Sequence, residues 1–131
     1  MNEFIKAYLN IIDEAKFENE KFKRFDVYKG IEIYYSYEHI KQRLNERYKD
    51  STFGNIRILS KLFLKNLLID PFFINFKLND FPFVCHFTIS NVWITGRMKK
   101  NFGEWRMQVY TLLPSDDPSY SKDHYFKEIK R

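Results

Sequence analysis

An alternation of apolar and polar residues along the second half of the chain most restricts the possible folds. It extends over the four segments FFINFKL, FPFVCHFTIS, NVWITGRM and EWRMQVYTLL, between Phe72 and Leu113. Successive side chains of a strand point to opposite faces, so this period predicts four strands with one apolar face. Their connections are short, with Asn79-Asp80 as a two-residue turn, which favours antiparallel pairing. The pattern therefore predicts an antiparallel meander.

The first half of the chain has a helical period. Residues 2–23, 37–48 and 55–69 place apolar side chains three or four positions apart, as amphipathic helices do. Residues 29–36 alternate and predict a further strand, after which Ser36 can cap the next helix. These elements predict an α+β fold in which N-terminal helices pack on one face of a mostly antiparallel, four- to five-stranded sheet.

Length and composition fit one domain with one core. The chain has 131 residues, of which 44% are hydrophobic. We assign residues 1–113 to a single α+β domain. Residues 114–131 begin with the polar run PSDDPSYSKDH and are predicted to form a polar and basic C-terminal extension. Its last twelve residues are compatible with either a short helix or a mobile tail.

The charge and the cysteine content indicate which cellular compartment and which binding partners to expect. Lys and Arg total 22 against 17 acidic residues, and this +5 balance favours a polyanion such as nucleic acid. The single cysteine, Cys85, excludes an intrachain disulfide framework and fits the reducing cytoplasm. Charges interrupt the N-terminal apolar stretch, so we expect neither a signal peptide nor a membrane partner.

Known catalytic motifs are missing from the sequence. There is no P-loop, GxGxxG, HExxH, GxSxG or zinc-ligand spacing, which disfavours the usual nucleotide hydrolases, dehydrogenases, zinc proteases and serine hydrolases. A two-metal nuclease site needs clustered carboxylates, and the sequence has no such cluster. We therefore expect no metal and no other cofactor.

Two features favour a site for phosphate. On the second predicted helix, His39, Arg43 and Arg47 recur every fourth residue and share one side. On the predicted sheet, the face opposite the apolar one has no acidic residue. That face carries Asn75, Lys77, His86, Thr88, Trp93, Thr95, Arg97, Arg106, Gln108 and Tyr110.

Cleavage of RNA without a metal requires groups of these kinds. A base takes the proton from a 2′-hydroxyl, an acid protonates the leaving 5′-oxygen, and cations stabilise the phosphorane. Histidine suits the proton transfers, arginine can hold two phosphate oxygens, and Trp93 or Tyr110 can stack on unpaired bases. The candidate RNA-binding residues are Arg47, Lys77, His86, Trp93, Lys99 and Lys100.

Purely structural roles remain open for the same residues. His39 can be a surface histidine, and Arg43 and Arg47 can pair with Glu46, Glu38 or Asp50. His86 can be a cross-strand polar residue without a role. The two tryptophans can serve packing, and Cys85 can be an inert core residue.

The segment YSYEHIKQRLNERY resembles the helix of RelE-like and RegB-like ribonucleases in the barnase–EndoU–colicin–RelE (BECR) group. The matching residues are His39, Arg43 and Arg47, preceded by Tyr35 or Ser36. The later segment VWITGRMKKNFGEWRMQVYTLL is similar to the last hairpin of that group, which carries basic and aromatic residues on the open side of the sheet.

The resemblance implies a small metal-independent endoribonuclease of a toxin or phage regulatory type, acting on free or ribosome-bound RNA. It implies that His39 is a catalytic or RNA-orienting residue with Arg43 beside it. It also implies that Arg97, Arg106 and Tyr110 contact phosphate and base. The alternative is a non-catalytic module of the same fold. Such a module would bind RNA or a host protein, as an antitoxin, immunity or phage anti-defence protein does.

Overall fold

The computed structural model describes residues 22–130. The helix predicted over residues 2–23 lies almost wholly outside this range. Its last two positions, Phe22 and Lys23, belong to a strand instead.

Six strands and three helices follow one another within residues 22–130. The strands are β1 (Phe22–Tyr28), β2 (Ile31–Ser36), β3 (Asp80–Phe87), β4 (Val92–Asn101), β5 (Glu104–Leu113) and β6 (Tyr125–Ile129). The helices are α1 (Tyr37–Arg47), α2 (Phe53–Leu67) and α3 (Pro71–Ile74).

All six strands form one sheet in the order β1-β2-β5-β4-β3-β6. Neighbouring strands are antiparallel except for two parallel pairs, β2 with β5 and β3 with β6. The α+β class is confirmed, but the sheet is mixed and six-stranded rather than mostly antiparallel with four to five strands. Both parallel pairs join strands that are distant in sequence, and the periodicity within a segment carries no information about such pairs.

One face of the sheet, here called the apolar face, is buried as the alternation predicted. Its buried residues in β3, β4 and β5 are Phe81, Phe83, Cys85, Phe87, Val92, Ile94, Met98, Met107 and Val109. Side chains from α1 and α2 join the same core cluster, namely Ile40, Leu44, Ile56, Phe63, Leu64 and Leu67. Burial of each such large side chain stabilises the fold by roughly 1.5–3 kcal/mol.

Specific contacts fix α2 against the strands. The ring of Phe63 stacks on that of Phe83 with centroids 4.5 Å apart. Ser60 donates its hydroxyl proton to the carbonyl of Ile56 at 2.7 Å, so its oxygen accepts from the buried Tyr35 hydroxyl at 2.7 Å. These contacts join the middle of α2 to both β2 and β3.

The strand predicted over residues 72–78 is wrong. Asp70 instead caps α3, because its carboxylate accepts from the amide of Phe72 at 3.0 Å and Pro71 occupies the first helical turn. The polypeptide then reaches β3 at Asp80, so Asn79-Asp80 is not a hairpin turn. Asn75 and Lys77 therefore leave the sheet face on which they were predicted, and both are exposed between α3 and β3.

The C-terminal segment forms β6, whereas the sequence was compatible with either a short helix or a mobile tail. This strand pairs with β3, and Ile129 is buried. The hydroxyl of Tyr125 donates to the carboxylate of Asp70, and Lys127 Nζ lies 3.3 Å from the same carboxylate. Asp70 thus links the start of α3 to the last strand.

We expect stability to fall in acid. The hydrogen bond from Tyr125 holds the pKa of Asp70 below its ordinary value, and the hydrogen bond from Lys61 does the same for Asp26. A lowered folded-state pKa stabilises the folded protein above the unfolded pKa of about 4, and this stabilisation is lost as pH falls further. Urea unfolding measured at a series of pH values should show a midpoint that declines below about pH 4.

Asp70→Asn should flatten that decline, since the amide does not titrate. Asp50→Asn is the matched control, because Asp50 is an exposed loop residue. An acid dependence that is identical in wild type and Asp70→Asn would contradict the role of this carboxylate.

Candidate nucleic-acid interface

The end of β5 is the place where α1 meets the sheet. The pairing of β2 with β5 ends at Val109, whereas β5 continues to Leu113. Arg47 Nη1 donates to the carbonyl of Leu112 at 2.7 Å, and the hydroxyl of Tyr48 donates to the carbonyl of Leu113. The last turn of α1 therefore lies beside the part of β5 that β2 leaves free. We call this region the α1–β5 junction.

The predicted row on α1 is only partly available to a ligand. His39 is exposed. Arg43 Nη1 donates to Glu46 at 2.8 Å, as the structural alternative predicted, but its Nε is buried and has no hydrogen-bond partner in the described part of the chain. Arg47 is held by the Leu112 carbonyl rather than by an acidic side chain. The guanidinium of Arg47 is thus anchored on the backbone of β5. That of Arg43 is held at Nη1 by Glu46 and keeps one donor without a partner in the described chain, Nε.

A β-bulge at Tyr110 changes the alternation of β5. Thr95 pairs with Thr111 and Gly96 with Val109, so Tyr110 is the additional residue. Beyond the bulge, Leu112 enters the core in place of Thr111. Thr111 Oγ1 is buried and has no hydrogen-bond partner among residues 22–130. The sequence had not marked Thr111 as functional. The signal was a polar residue at a position where the alternation required an apolar one.

Arg97 and Arg106 lie on the opposite side of the sheet, here called the polar face. Arg97 Nη1 lies 3.2 Å from the carboxylate of Asp80. The Arg106 guanidinium lies 4.2 Å from the ring centroid of Tyr34, whose hydroxyl donates to Glu32 at 2.9 Å. Both arginines are therefore supported by neighbours on the sheet.

The prediction that this face has no acid is wrong. Across four strands, Glu32, Arg106, Lys99 and Asp80 stand in one row. Glu32 enters through the parallel pairing of β2 with β5, and Asp80 belongs to β3 rather than to a turn. The cations Lys99 and Arg106 are cross-strand neighbours in the middle of this row. The carboxylates of Glu32 and Asp80 lie at its two ends.

His86 and Trp93 form a separate aromatic group near β6. Their rings stack with centroids 4.0 Å apart. His86 Nε2 lies 2.9 Å from the side-chain oxygen of Asn91, and Nδ1 lies 3.7 Å from the carboxylate of Glu128. One face of the indole is thus already occupied, while its Nε1 is buried without a hydrogen-bond partner in the described chain.

The remaining candidates are spread along the sheet. Lys99 is half-buried on the polar face, and Lys100 Nζ lies 5.7 Å from the ring of Trp105. Trp105 packs against the core, as its structural interpretation predicted. Cys85 is fully buried, and burial raises the pKa of its thiol, which fits an inert core residue.

The structure therefore distributes the predicted site over three places. Arg47 and Tyr48 contact the end of β5 at the α1–β5 junction, Arg43 lies one turn earlier on α1, and Tyr110 lies two residues before Leu112. Arg97, Lys99 and Arg106 lie further down β4 and β5. His86 and Trp93 lie towards β6, on β3 and β4, which are four and three strands away from β1.

Comparison with protein-family models, with curated proteins and with solved structures finds no match for the chain. Within residues 22–130, no group of three His, Cys, Asp or Glu side chains is arranged to hold a metal ion. No helix in the same range is both long enough and apolar enough to cross a membrane.

Proposed function

We propose that the α1–β5 junction handles phosphate in a small metal-independent endoribonuclease. In this proposal α1, α2 and α3 cover the apolar face, and RNA passes the α1–β5 junction at the end of β5 before it runs along the polar face. The supporting observation is the pair of buried donors, Arg43 Nε and Thr111 Oγ1, that have no acceptor within the described chain. The hydrogen bond from Arg47 to Leu112 joins the two elements that carry them.

Buried donors without acceptors are costly, at about 1–3 kcal/mol each. A phosphate group offers several acceptor oxygens, and a guanidinium binds them strongly. Bound phosphate would therefore satisfy groups that the fold leaves unsatisfied. A structural role for Arg43 alone would need only its contact with Glu46.

The proposed reaction is attack by the 2′-hydroxyl of RNA on the adjacent phosphorus. The bond from the 2′-oxygen to phosphorus forms, and the bond from phosphorus to the 5′-oxygen breaks. His39 takes the 2′-hydroxyl proton, and Tyr110 gives a proton to the leaving 5′-oxygen. Arg43 stabilises the charge on the phosphorane. The products carry a 2′,3′-cyclic phosphate and a 5′-hydroxyl.

The cations further along β4 and β5 are assigned to binding the RNA strand. Lys99 and Arg106 are direct cross-strand partners, an arrangement that is unfavourable for like charges. A phosphate beside the pair would place negative charge next to both cations. Glu32 and Asp80 partly neutralise the row, so we assign it to positioning the strand and not to the chemistry.

Wild-type protein should cut labelled RNA in the presence of EDTA. Because proton transfer by a positioned side chain contributes about 10²–10⁴-fold, His39→Ala should lower the cleavage rate by about 10²-fold or more. Arg43→Ala should also lower the rate, since it removes the cation that stabilises the phosphorane. The measurement is the appearance of cyclic-phosphate ends on free RNA and on ribosome-bound RNA.

His124→Ala is the matched control, because His124 lies in the segment before β6 and outside the junction. Its rate should equal that of wild type. Circular dichroism of each variant shows whether the fold is kept. No cleavage of either substrate by the wild-type protein would remove the enzymatic proposal.

A non-catalytic RNA-binding module is the second candidate function. The observation that favours it is that only one histidine lies near the α1–β5 junction. Of the three histidines in the chain, His86 and His124 lie towards β6, so His39 is the only one near the junction. For three phosphate contacts to single-stranded RNA, a log–log plot of affinity against salt should have a slope of about −2. Such a slope without cleavage would identify this second function.

A further inference from the structure

The tip of the β4–β5 hairpin has an unusual residue for its backbone. Asn101 and Glu104 close a two-residue turn formed by Phe102 and Gly103. Both turn residues have positive φ, 53° for Phe102 and 82° for Gly103. Turns of this kind favour Asn-Gly, because a bulky side chain is strained at positive φ. An asparagine would suit the first position better than the phenylalanine that is present.

The side chain of Phe102 gains no burial in return. Its relative exposure is 107%, the highest of the large exposed hydrophobic residues in the described chain. Within residues 22–130 its ring stacks on no other aromatic ring. Neither the backbone nor the core therefore accounts for this side chain, and its whole surface is available to a partner.

The surroundings of the ring favour a nucleobase as that partner. Asn101 and Glu104 close the turn, Lys100 pairs with Trp105 next to them, and Lys99 pairs with Arg106 one position further in. Three cations and one carboxylate therefore lie within four positions of Phe102. A lipid surface or a protein hot spot would be matched better by several apolar side chains together. A single ring at the end of a mainly basic strand pair suits single-stranded nucleic acid, in which bases stack on aromatic rings and phosphates follow basic side chains.

We propose that Phe102 stacks on a base of an RNA strand that runs along β4 and β5 from the α1–β5 junction to the hairpin tip. This inference rests on the proposed RNA function and extends it to the opposite end of the sheet. Tyr110 lies eight positions after Phe102 along the chain, a span of about 26 Å. Only an RNA that covers this span can contact both places.

The test compares two RNAs of different length, both with 2′-O-methyl groups so that the 2′-oxygen cannot attack. Phe102→Asn should weaken binding of an oligomer of about twelve nucleotides by about tenfold, because it removes one base–aromatic stack. Binding of a dinucleotide should not change. The same variant should raise Tm by a few degrees, because asparagine tolerates the positive φ.

Two further variants separate stacking from general effects. Phe102→Trp should bind the longer oligomer at least as tightly as wild type, because the larger ring stacks better. Ile58→Ala removes another exposed apolar side chain, 65% exposed on α2, and should leave RNA binding unchanged.

Equal binding of the longer oligomer by wild type and Phe102→Asn would overturn the inference while leaving the RNA function in place. Absence of RNA binding by wild type would overturn both. A vesicle containing phosphatidylserine tests the lipid explanation. If Phe102→Asn loses vesicle binding but keeps RNA binding, the ring belongs to a membrane contact and the inference is wrong.

Discussion

Gly96→Ala is expected to remove most of the stability of the fold. A Cβ at this position would lie 1.9 Å from the carbonyl oxygen and 2.9 Å from the carbonyl carbon of Gln108, and 3.1 Å from Phe83 Cζ. The first two atoms are backbone of the neighbouring strand, so they cannot move without separating β4 from β5. These two strands form the centre of the sheet.

The expected loss is roughly 4 kcal/mol or more, as for the most damaging core substitutions. Natural domains are stable by only about 5–15 kcal/mol, so the variant should be insoluble or should unfold at very low urea. Urea unfolding followed by tryptophan fluorescence measures this directly, because Trp93 and Trp105 lie on the two strands concerned.

Gly54→Ala is the matched control. This glycine lies in the first turn of α2, and the nearest atom to an added Cβ is Thr52 Oγ1 at 3.5 Å, an ordinary contact. Alanine is favoured over glycine in helices by about 0.5–1 kcal/mol, so stability should be unchanged or slightly higher. Wild-type stability of Gly96→Ala would show that the backbone of Gln108 does not approach residue 96 so closely.

The strands that the sequence predicted well are those whose pattern is local. In β3, β4 and β5 the alternation of large apolar residues with polar ones is long and regular, and the core accepts it almost unchanged. The two longer helices also carry their own signals. Ser36 occupies the N-cap position of α1 as predicted, although its side chain makes no capping hydrogen bond. Thr52 with Asn55 forms a capping box that starts α2 two residues before its predicted start.

The strands that were missed lack a regular period. In β1 the apolar residues Phe22, Phe25, Val27 and Tyr28 fit neither period, because a register shift between Arg24 and Asp26 interrupts the strand. In the short β6, two of the five residues are charged. Residues 72–78 alternate like a strand, but the Asp70 cap and Pro71 favour a short helix there. In each case a local irregularity decided the structure.

The candidate site likewise contains some residues that a local pattern predicted and others that no local pattern predicted. The row of His39, Arg43 and Arg47 depends only on helical spacing and was visible in the sequence. Thr111 reaches the site because a bulge inserts Tyr110, and an alternation carried past a bulge assigns every later residue to the wrong face. Glu32 reaches the polar face by pairing between distant segments, which one sequence does not encode in any local pattern. Asp80 reaches it because β3 begins at this residue and no hairpin turn precedes it.

A chain that ends at Leu113 should fail to fold stably. The sequence predicted residues 1–113 as the domain, yet β6 pairs with β3 over the five positions from Phe83 to Phe87. Truncation also removes the Tyr125 ring, which stacks on Phe72 at 4.5 Å, and the buried Ile129. Each lost large side chain is worth about 1.5–3 kcal/mol, so the sum approaches the whole stability of a domain.

The truncated chain would also expose β3 as an edge strand. After Pro82 the segment FVCHF is apolar and has no proline and no acidic or basic residue besides His86, a composition that promotes edge-to-edge aggregation. We therefore expect insoluble protein, or a chain without the near-ultraviolet circular dichroism of a packed core. Size-exclusion chromatography of the soluble fraction measures the outcome.

Tyr125→Phe provides the graded control, because it keeps β6 and removes only the hydroxyl that donates to Asp70. It should cost about 1–3 kcal/mol, the penalty of one lost hydrogen bond to a charged partner, and the protein should stay folded. A peptide of residues 114–131 added to the truncated chain should restore folding, since it supplies the missing strand. If the truncated chain alone unfolds in urea at the wild-type midpoint, β6 is dispensable and residues 1–113 form a complete domain.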